Sequence, residues 1–235
     1  MAKALIVAAS GSNSGKTLVT LGLIRALKNQ GLKVASAKLG PDYIDSRFHE
    51  LASGAACLNL DLWSMGKDLC RSLLFRLGKE MDIIIIEGVM GLFDGPLGAN
   101  GSTADTAEAL GVPIVLVVDA AHQAQSVAAL AAGFFNHRKS LNFAGIILNR
   151  VKSDRHLQML RADLPAEQVL GIVRHTDSLK LPSRHLGLVQ AQEIQDLDAI
   201  IEGAALAVTR ETVLDTLIDR AAQIANHAQV ASLPP

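Results

Sequence analysis

The stretch Ser10-Gly11-Ser12-Asn13-Ser14-Gly15-Lys16-Thr17 sets small residues, a lysine and a hydroxyl in the order that a phosphate-binding loop requires. Small residues let the backbone wrap tightly enough to aim successive N–H groups at phosphate oxygens. Lys16 then supplies a cation, and the Thr17 hydroxyl can ligate a magnesium ion. Ser12, Asn13, Ser14, Gly15, Lys16 and Thr17 are the residues expected to hold a nucleotide, with Ser10 standing where the usual motif begins with glycine.

Other chemically capable residues follow apolar runs. Glu87 comes directly after four isoleucines, where a carboxylate can hold magnesium through its ligands or waters. Lys38, next to Gly40-Pro41-Asp42, is placed to meet phosphate or a substrate carboxylate. Asp42 and Asp45 are three apart, so in a tight turn they can converge on one cation, although either one alone also fits ordinary turn chemistry. Asp119 reads equally as a ligand or as the cap of the next helix, and Asn149-Arg150 as a contact or a turn.

These residues need strands and helices to position them, and the chain alternates the two. Residues 3 to 9 read as a buried strand and 16 to 30 as a helix with Leu18, Leu21, Ile24 and Leu27 on one face, closed by Gly31. Strands are expected at 33 to 38, 82 to 88, 113 to 119, 143 to 149 and 168 to 173. Helices are expected at 68 to 80, 103 to 110 behind a Ser102 cap, 123 to 137, 155 to 163, 192 to 207 and 211 to 227. Residues 39 to 45 read as irregular, because Gly-Pro blocks regular structure there. Apolar strands alternating with helices predict an α/β fold, a three-layer doubly wound, mostly parallel sheet, with ligands at the carboxyl ends of the strands.

Composition limits what such a sheet serves. The 235 residues are 49% apolar and carry a formal net charge of −1, enough for one α/β domain with a large core. With 3% aromatics and no basic excess, nucleic acid is not an expected partner. Cys57 and Cys70 have no metal-type or redox-type spacing and are expected to be reduced thiols. The N-terminal apolar run is shorter than a signal core, and charged residues interrupt the other apolar segments before a bilayer is spanned. A soluble cytoplasmic protein is the expectation. The domain is expected over residues 1–228, with 229–235 the start of a linker.

Several motifs in order resemble cobyrinic acid a,c-diamide synthase. They are Lys38-Leu39-Gly40-Pro41-Asp42-Tyr43-Ile44-Asp45, Phe48-His49, Asn59-Leu60-Asp61 with Trp63 and Gly66, Glu87-Gly88-Val89-Met90-Gly91-Leu92-Phe93-Asp94-Gly95, Gly101-Ser102-Thr103-Ala104, Val117-Val118-Asp119-Ala120 and Leu181 to Leu188. The likeness covers nearly the whole chain and is to the N-terminal synthetase half of that enzyme, a P-loop NTPase fold similar to dethiobiotin synthetase. Val173-Arg174-His175 departs from the family in lacking a proline and an acid after that strand.

The resemblance implies an ATP- and magnesium-dependent ligase. It would activate the c and then the a carboxylate of a corrin precursor as acyl phosphates, which ammonia attacks. Ammonia would come from glutamine through a C-terminal glutaminase domain that this chain does not include. Thr17, Asp45 and Glu87 are implied for the metal, with Asp42 as the alternative, and Lys16 and Lys38 for neutralising charge. Asp94 and Tyr43 would face the acyl phosphate or tetrapyrrole, Ser102 and Thr103 a propionate, Asn149 the adenine, and Arg184 with His185 substrate or nucleotide. Dethiobiotin synthetases pair, so a homodimer is expected. A nickel-sirohydrochlorin a,c-diamide synthase shares these motifs and is the first alternative. A dethiobiotin synthetase would lack the Gly-Pro-Asp-Tyr segment, and a non-enzymatic P-loop ATPase switch would carry a lysine where Gly11 stands.

Overall fold

Ile83 to Ile86 show no polar alternation because helices cover both faces of their strand, and all four side chains are buried. The computed structural model that shows this describes residues 1–176, 179, 183–184, 187–188 and 196–224. In chain order the first half runs β1 (Lys3–Ala9), α1 (Lys16–Asn29), β2 (Val34–Leu39), α2 (Tyr43–Ser53), β3 (Cys57–Leu60), α3 (Leu62–Leu77), β4 (Ile83–Glu87) and α4 (Thr103–Leu110). The second half runs β5 (Ile114–Asp119), α5 (Ser126–His137), β6 (Phe143–Val151), α6 (Asp154–Arg161) and β7 (Val169–Arg174). Short strands β8 (Ser183–Arg184) and β9 (Gly187–Leu188) follow, then α7 (Leu197–Arg210), α8 (Leu214–Arg220) and β10 (Ala222–Gln223).

The main sheet has the order β3-β2-β4-β1-β5-β6-β7, all parallel, with β10 antiparallel to β1. Successive strand residues point to opposite faces, so two separate cores form. Ile84, Ile86 and Leu116 share one core with Cys70 and Leu74 of α3. Ile83, Ile85 and Val117 share the other with Leu23 and Leu27 of α1, Phe48 of α2 and Ile201 of α7. Helix, sheet and helix are the three layers expected. On the second face α1 and α7 pack closely because Gly22 has no side chain: a Cβ there would lie 2.6 Å from the Ala204 carbonyl oxygen.

The structure corrects four expectations about elements. The irregular stretch ends at Asp42, whose carboxylate accepts from the Ile44 and Asp45 amides and so starts α2 at Tyr43. The polar region after it holds β3. Helix α3 begins at Leu62 rather than 68, with Asp61 as its cap and a non-helical Gly66 interrupting it, which breaks the apolar period that locates helices. The last helix ends at Arg220 rather than 227. There the chain turns extended to pair Ala222 and Gln223 with Ala4 and Lys3, the end of β1 that lies before its pairing with β5 begins at Ile6. Residues 225–235, Leu181, Pro182, His185 and 191–195 lie outside the described residues, as does the expected linker.

Helix α4 is fixed by a capping box: Ser102 accepts from the Asp105 amide, and Asp105 accepts from the Ser102 and Gly101 amides at 3.0 and 3.1 Å. Arg138 at the end of α5 reaches the same carboxylate at 2.7 Å. Burial works against the Asp105 charge, but Arg138 and the Ser102 contacts outweigh it and hold the carboxyl down to about 2. A carboxyl depressed by folding stabilises the fold above its unfolded value and loses that contribution as pH falls to the folded value. Asp105→Asn is therefore expected to cost about 1–2 kcal/mol near neutral pH. In urea titrations the deficit should shrink below about pH 4 and be nearly gone at about pH 2. A deficit constant over that range would contradict this account.

Candidate functional site

The phosphate loop is built by local hydrogen bonds and one tertiary brace. The Ser10 amide donates to the Val117 carbonyl at 3.1 Å, and the Ser14 hydroxyl donates to the Gly11 carbonyl at 2.8 Å. Asn13 and Gly15 take left-handed backbone conformations, φ 63° and 82°, which asparagine and glycine tolerate best. Asn149, at the end of β6, donates its amide to the Ser14 carbonyl at 2.9 Å. A Cβ at Gly15 would meet that same Asn149 nitrogen at 2.2 Å. Ser12 and Asn13 are exposed at the tip, and α1 begins at Lys16, so its free amides face the loop.

The carboxyl ends of β2 and β4 supply the opposite wall. Lys38 and Glu87 are direct cross-strand partners, both buried and both on the α1 and α2 face. The Thr17 hydroxyl donates to Glu87 Oε1 at 2.7 Å, and Lys38 Nζ approaches the same oxygen at 3.3 Å. Lys38 also reaches Asp45 at 3.0 Å, the Gly88 carbonyl at 3.1 Å and Asp42 at 3.7 Å. Asn59 locks the acidic loop by donating to the Gly40 and Asp42 carbonyls, each at 2.9 Å. Lys16 Nζ lies 3.3 Å from the Met90 carbonyl, in a loop where Met90 has φ 44°.

Burial and neighbouring charges set the protonation of this cluster. Burial opposes the Glu87 charge, yet Lys38 and His49 hold its carboxyl far below the usual range. Burial lowers the Lys16 ammonium, while burial and the nearby Glu87 push Asp45 up to about 6. Lys38 is raised because Glu87 and Asp45 outweigh the effect of its own burial. Two carboxylates so close cannot both ionise freely, which is the arrangement expected where a cation is to be shared.

Thr17, Glu87 and Asp45 offer hard oxygen donors beside the phosphate loop, which suits magnesium. That ion takes one or two carboxylates and completes its shell with phosphates and water. Among the described residues no group of three or more His, Cys, Asp or Glu forms a cage by itself. A cleft of about 990 Å³ is lined by Lys16, Thr17, Asp42, Tyr43, Asp45, Asn149, Arg150 and His175.

The other expected residues lie outside this cluster. Asp94 is exposed and accepts from the Gly91 amide at 2.9 Å, in the loop that touches Gly11. Tyr43 stands 78% exposed at the cleft. Ser102 caps α4, and the fully buried Thr103 bonds both the amide and carbonyl of Val89, so neither hydroxyl is presented to open space. Asn149 is buried with its amide bracing the loop, and Asp119 pairs with Arg150 and accepts from the Ala121 amide. Cys57 and Cys70 are free thiols. The Arg184 side chain and His185 lie outside the described residues. Sequence reasoning gave no role to Arg150, which lines the cleft, or to His49, which bonds Glu87 at 2.6 Å.

Known proteins are similar to this chain in sequence and in fold. The family model described as CobQ/CobB/MinD/ParA nucleotide binding domain matches residues 5–189. Hydrogenobyrinate a,c-diamide synthase of Rhizobium meliloti (strain 1021) is 46% identical over 233 residues, 98% of this chain and 54% of that protein. Its namesake from Brucella anthropi is 49% identical over 218 residues, 92% of this chain and 50% of that one. The chain thus spans about half the length of the curated relatives it matches. Among solved structures, the signal recognition particle receptor FtsY from Elizabethkingia anophelis matches with a TM-score of 0.56 at 14% identity, covering 86% of this chain and 66% of that one. Chloroplast FtsY from Physcomitrella patens matches with a TM-score of 0.53, also at 14% identity, covering 87% and 65%. At such identity these two share the fold alone, whereas the residue-level match over most of the chain places it in the CobQ/CobB/MinD/ParA nucleotide binding domain family.

Proposed function

We propose that this chain is the carboxylate-activating part of an ATP- and magnesium-dependent a,c-diamide synthase acting on a corrin precursor in cobalamin biosynthesis. The observation that carries this is the Lys38, Asp45 and Glu87 cluster facing Lys16 and Thr17, in a chain 46–49% identical to proteins named hydrogenobyrinate a,c-diamide synthase. Those names favour the metal-free corrin hydrogenobyrinate, with cobyrinate and nickel-sirohydrochlorin as the other acceptors. No helix among the described residues is long and apolar enough to cross a membrane, which fits a cytoplasmic enzyme.

A carboxylate is a poor electrophile, so its oxygen must first displace ADP from the γ-phosphorus to form an acyl phosphate. Ammonia then attacks the acyl carbon and phosphate leaves, giving the amide. The difficulty in the first step is electrostatic, because two anions must meet. Lys16, released from the Met90 carbonyl, pairs with the β- and γ-phosphate oxygens, and the loop amides hold the rest of the chain of phosphates. Lys38 offsets charge where the acceptor carboxylate enters. Thr17, Glu87 and Asp45 hold the metal, with Asp42 as the alternative to Asp45; bound magnesium supplies further neutralisation of the phosphates. Tyr43 and Asp94 face the macrocycle or the acyl phosphate. The second half of the protein would deliver ammonia from glutamine.

Incubating the chain with ATP, magnesium, ammonium and each of the three tetrapyrroles, followed by mass spectrometry, tests the reading. Hydrogenobyrinate should gain one and then two amides. Failure to bind or convert any of the three would reject it. Lys16→Ala should weaken ATP binding about ten- to a hundredfold, the value of a charge-assisted contact. Gly15→Ala forces a Cβ into Asn149 at a positive φ, so fluorescent-nucleotide titration should show at least about a tenfold loss, with about 1–2 kcal/mol of stability lost as well. Wild-type affinity in either variant would refute the loop's role.

A further inference from the structure

We infer that His49 is a positioning residue that fixes the rotation of the Glu87 carboxylate, so that Oε1 rather than Oε2 is presented to Thr17 and to a magnesium nucleotide. The inference rests on the proposed metal role of Glu87. Its grounds are geometric. His49 is fully buried on α2, and its Nε2 lies 2.6 Å from Glu87 Oε2. With the carboxylate oxygen as acceptor, Nε2 is the donor of this contact. Among the described residues, Thr17 and Lys38 bond the other oxygen, Oε1, and none but His49 bonds Oε2.

The two oxygens therefore have separate partners on opposite sides. Without His49, Oε2 would be a buried anionic oxygen with no donor, and the carboxylate would turn to share Lys38 between both oxygens. Thr17 would then lose its fixed partner. His49 is itself held from behind, with Nδ1 3.7 Å from the Cys57 sulfur and Phe48 packed in the adjoining core. Asp45 and His49 are four apart on α2, so one helix face delivers both side chains to the Lys38 and Glu87 pair. Partners that orient metal-holding groups in this way are typically worth about ten- to a hundredfold in metal affinity.

The test compares His49→Leu, which keeps much of the volume and loses the donor, with His49→Gln, whose amide nitrogen can occupy the place of Nε2. A non-hydrolysable ATP analogue is titrated with and without magnesium, after circular dichroism has shown each variant folded. Expected is about a tenfold or greater loss of magnesium-dependent binding in H49L, unchanged metal-free binding, and recovery to within about threefold of wild type in H49Q. Equal magnesium dependence in H49L and wild type, or H49Q no better than H49L, overturns the inference. Should H49L not fold, His49→Asn takes its place, since its amide falls one methylene short of Glu87; it must bind the magnesium complex less well than H49Q, and equality overturns the inference. Glu87→Gln separates the two failures: if it abolishes magnesium dependence while H49L does not, only the role of His49 falls, and if it too has no effect, the metal reading of Glu87 falls with it.

Discussion

Glu87 ends β4 with its carboxylate fully buried, and an isolated ion in such a place would cost several kcal/mol relative to water, of the order of about 5. Lys38 from β2, Thr17 from α1 and His49 from α2 together remove that cost, one donor from each of three elements. The cluster can therefore form only when sheet register, the start of α1 and the docking of α2 are all correct. Lys38 opposes Glu87 directly in the β2 and β4 ladder, and a shift of one residue would send either side chain to the other face of the sheet. The fold and the site are in this sense a single constraint.

The same cluster links the two walls of the cleft. Thr17 belongs to the phosphate loop, and Asp42 and Asp45 lie at the start of α2, after a loop that Asn59 ties to β3. On the far side Asn149 braces the loop from β6, and Arg150 beside it is held by Asp119. Strand ends from both halves of the sheet thus converge on Gly15 to Thr17. Helix α4, tied by Ser102 and Asp105, supports the loop after β4 from below through the Thr103 contacts with Val89.

Six of the seven parallel strands, all but β3, were legible in the sequence because burial on both faces leaves uninterrupted apolar runs, and the phosphate loop because its residues serve the ligand rather than the core. Helix α2 was not legible. Gly40-Pro41 reads as the beginning of a loop, and Asp42 as an alternative ligand or a turn residue, whereas its carboxylate starts a helix. Missing that helix hid the four-residue spacing of Asp45 and His49, the one sequence signal that could have put His49 beside Glu87. The start of α3 before residue 68 was not legible because Gly66 interrupts the apolar period, nor was β10, because two residues pairing with β1 leave no periodic pattern at all. Ser102 caps its helix as its position predicts, while the Thr103 hydroxyl is engaged by the Val89 backbone, which no motif reveals.

Charge balance explains how such a site can rest without a ligand and still receive one. Burial is offset at His49 by Cys57 and Glu87, which hold the imidazole up to about 9 and hence charged at neutral pH. Lys16, Lys38 and His49 then face Asp42, Asp45 and Glu87, and the two sets roughly cancel. Lys16 is the member with the weakest hold, a single 3.3 Å contact to a carbonyl at a strained Met90, and burial already lowers its affinity for a proton. An arriving polyphosphate gives the Lys16 ammonium a better partner than a carbonyl. Lys38, held by three carboxylates and a backbone carbonyl, stays where it is. One lysine is free to move onto the phosphates while the other keeps the acidic wall in place, a division of roles that follows from the number of partners each possesses.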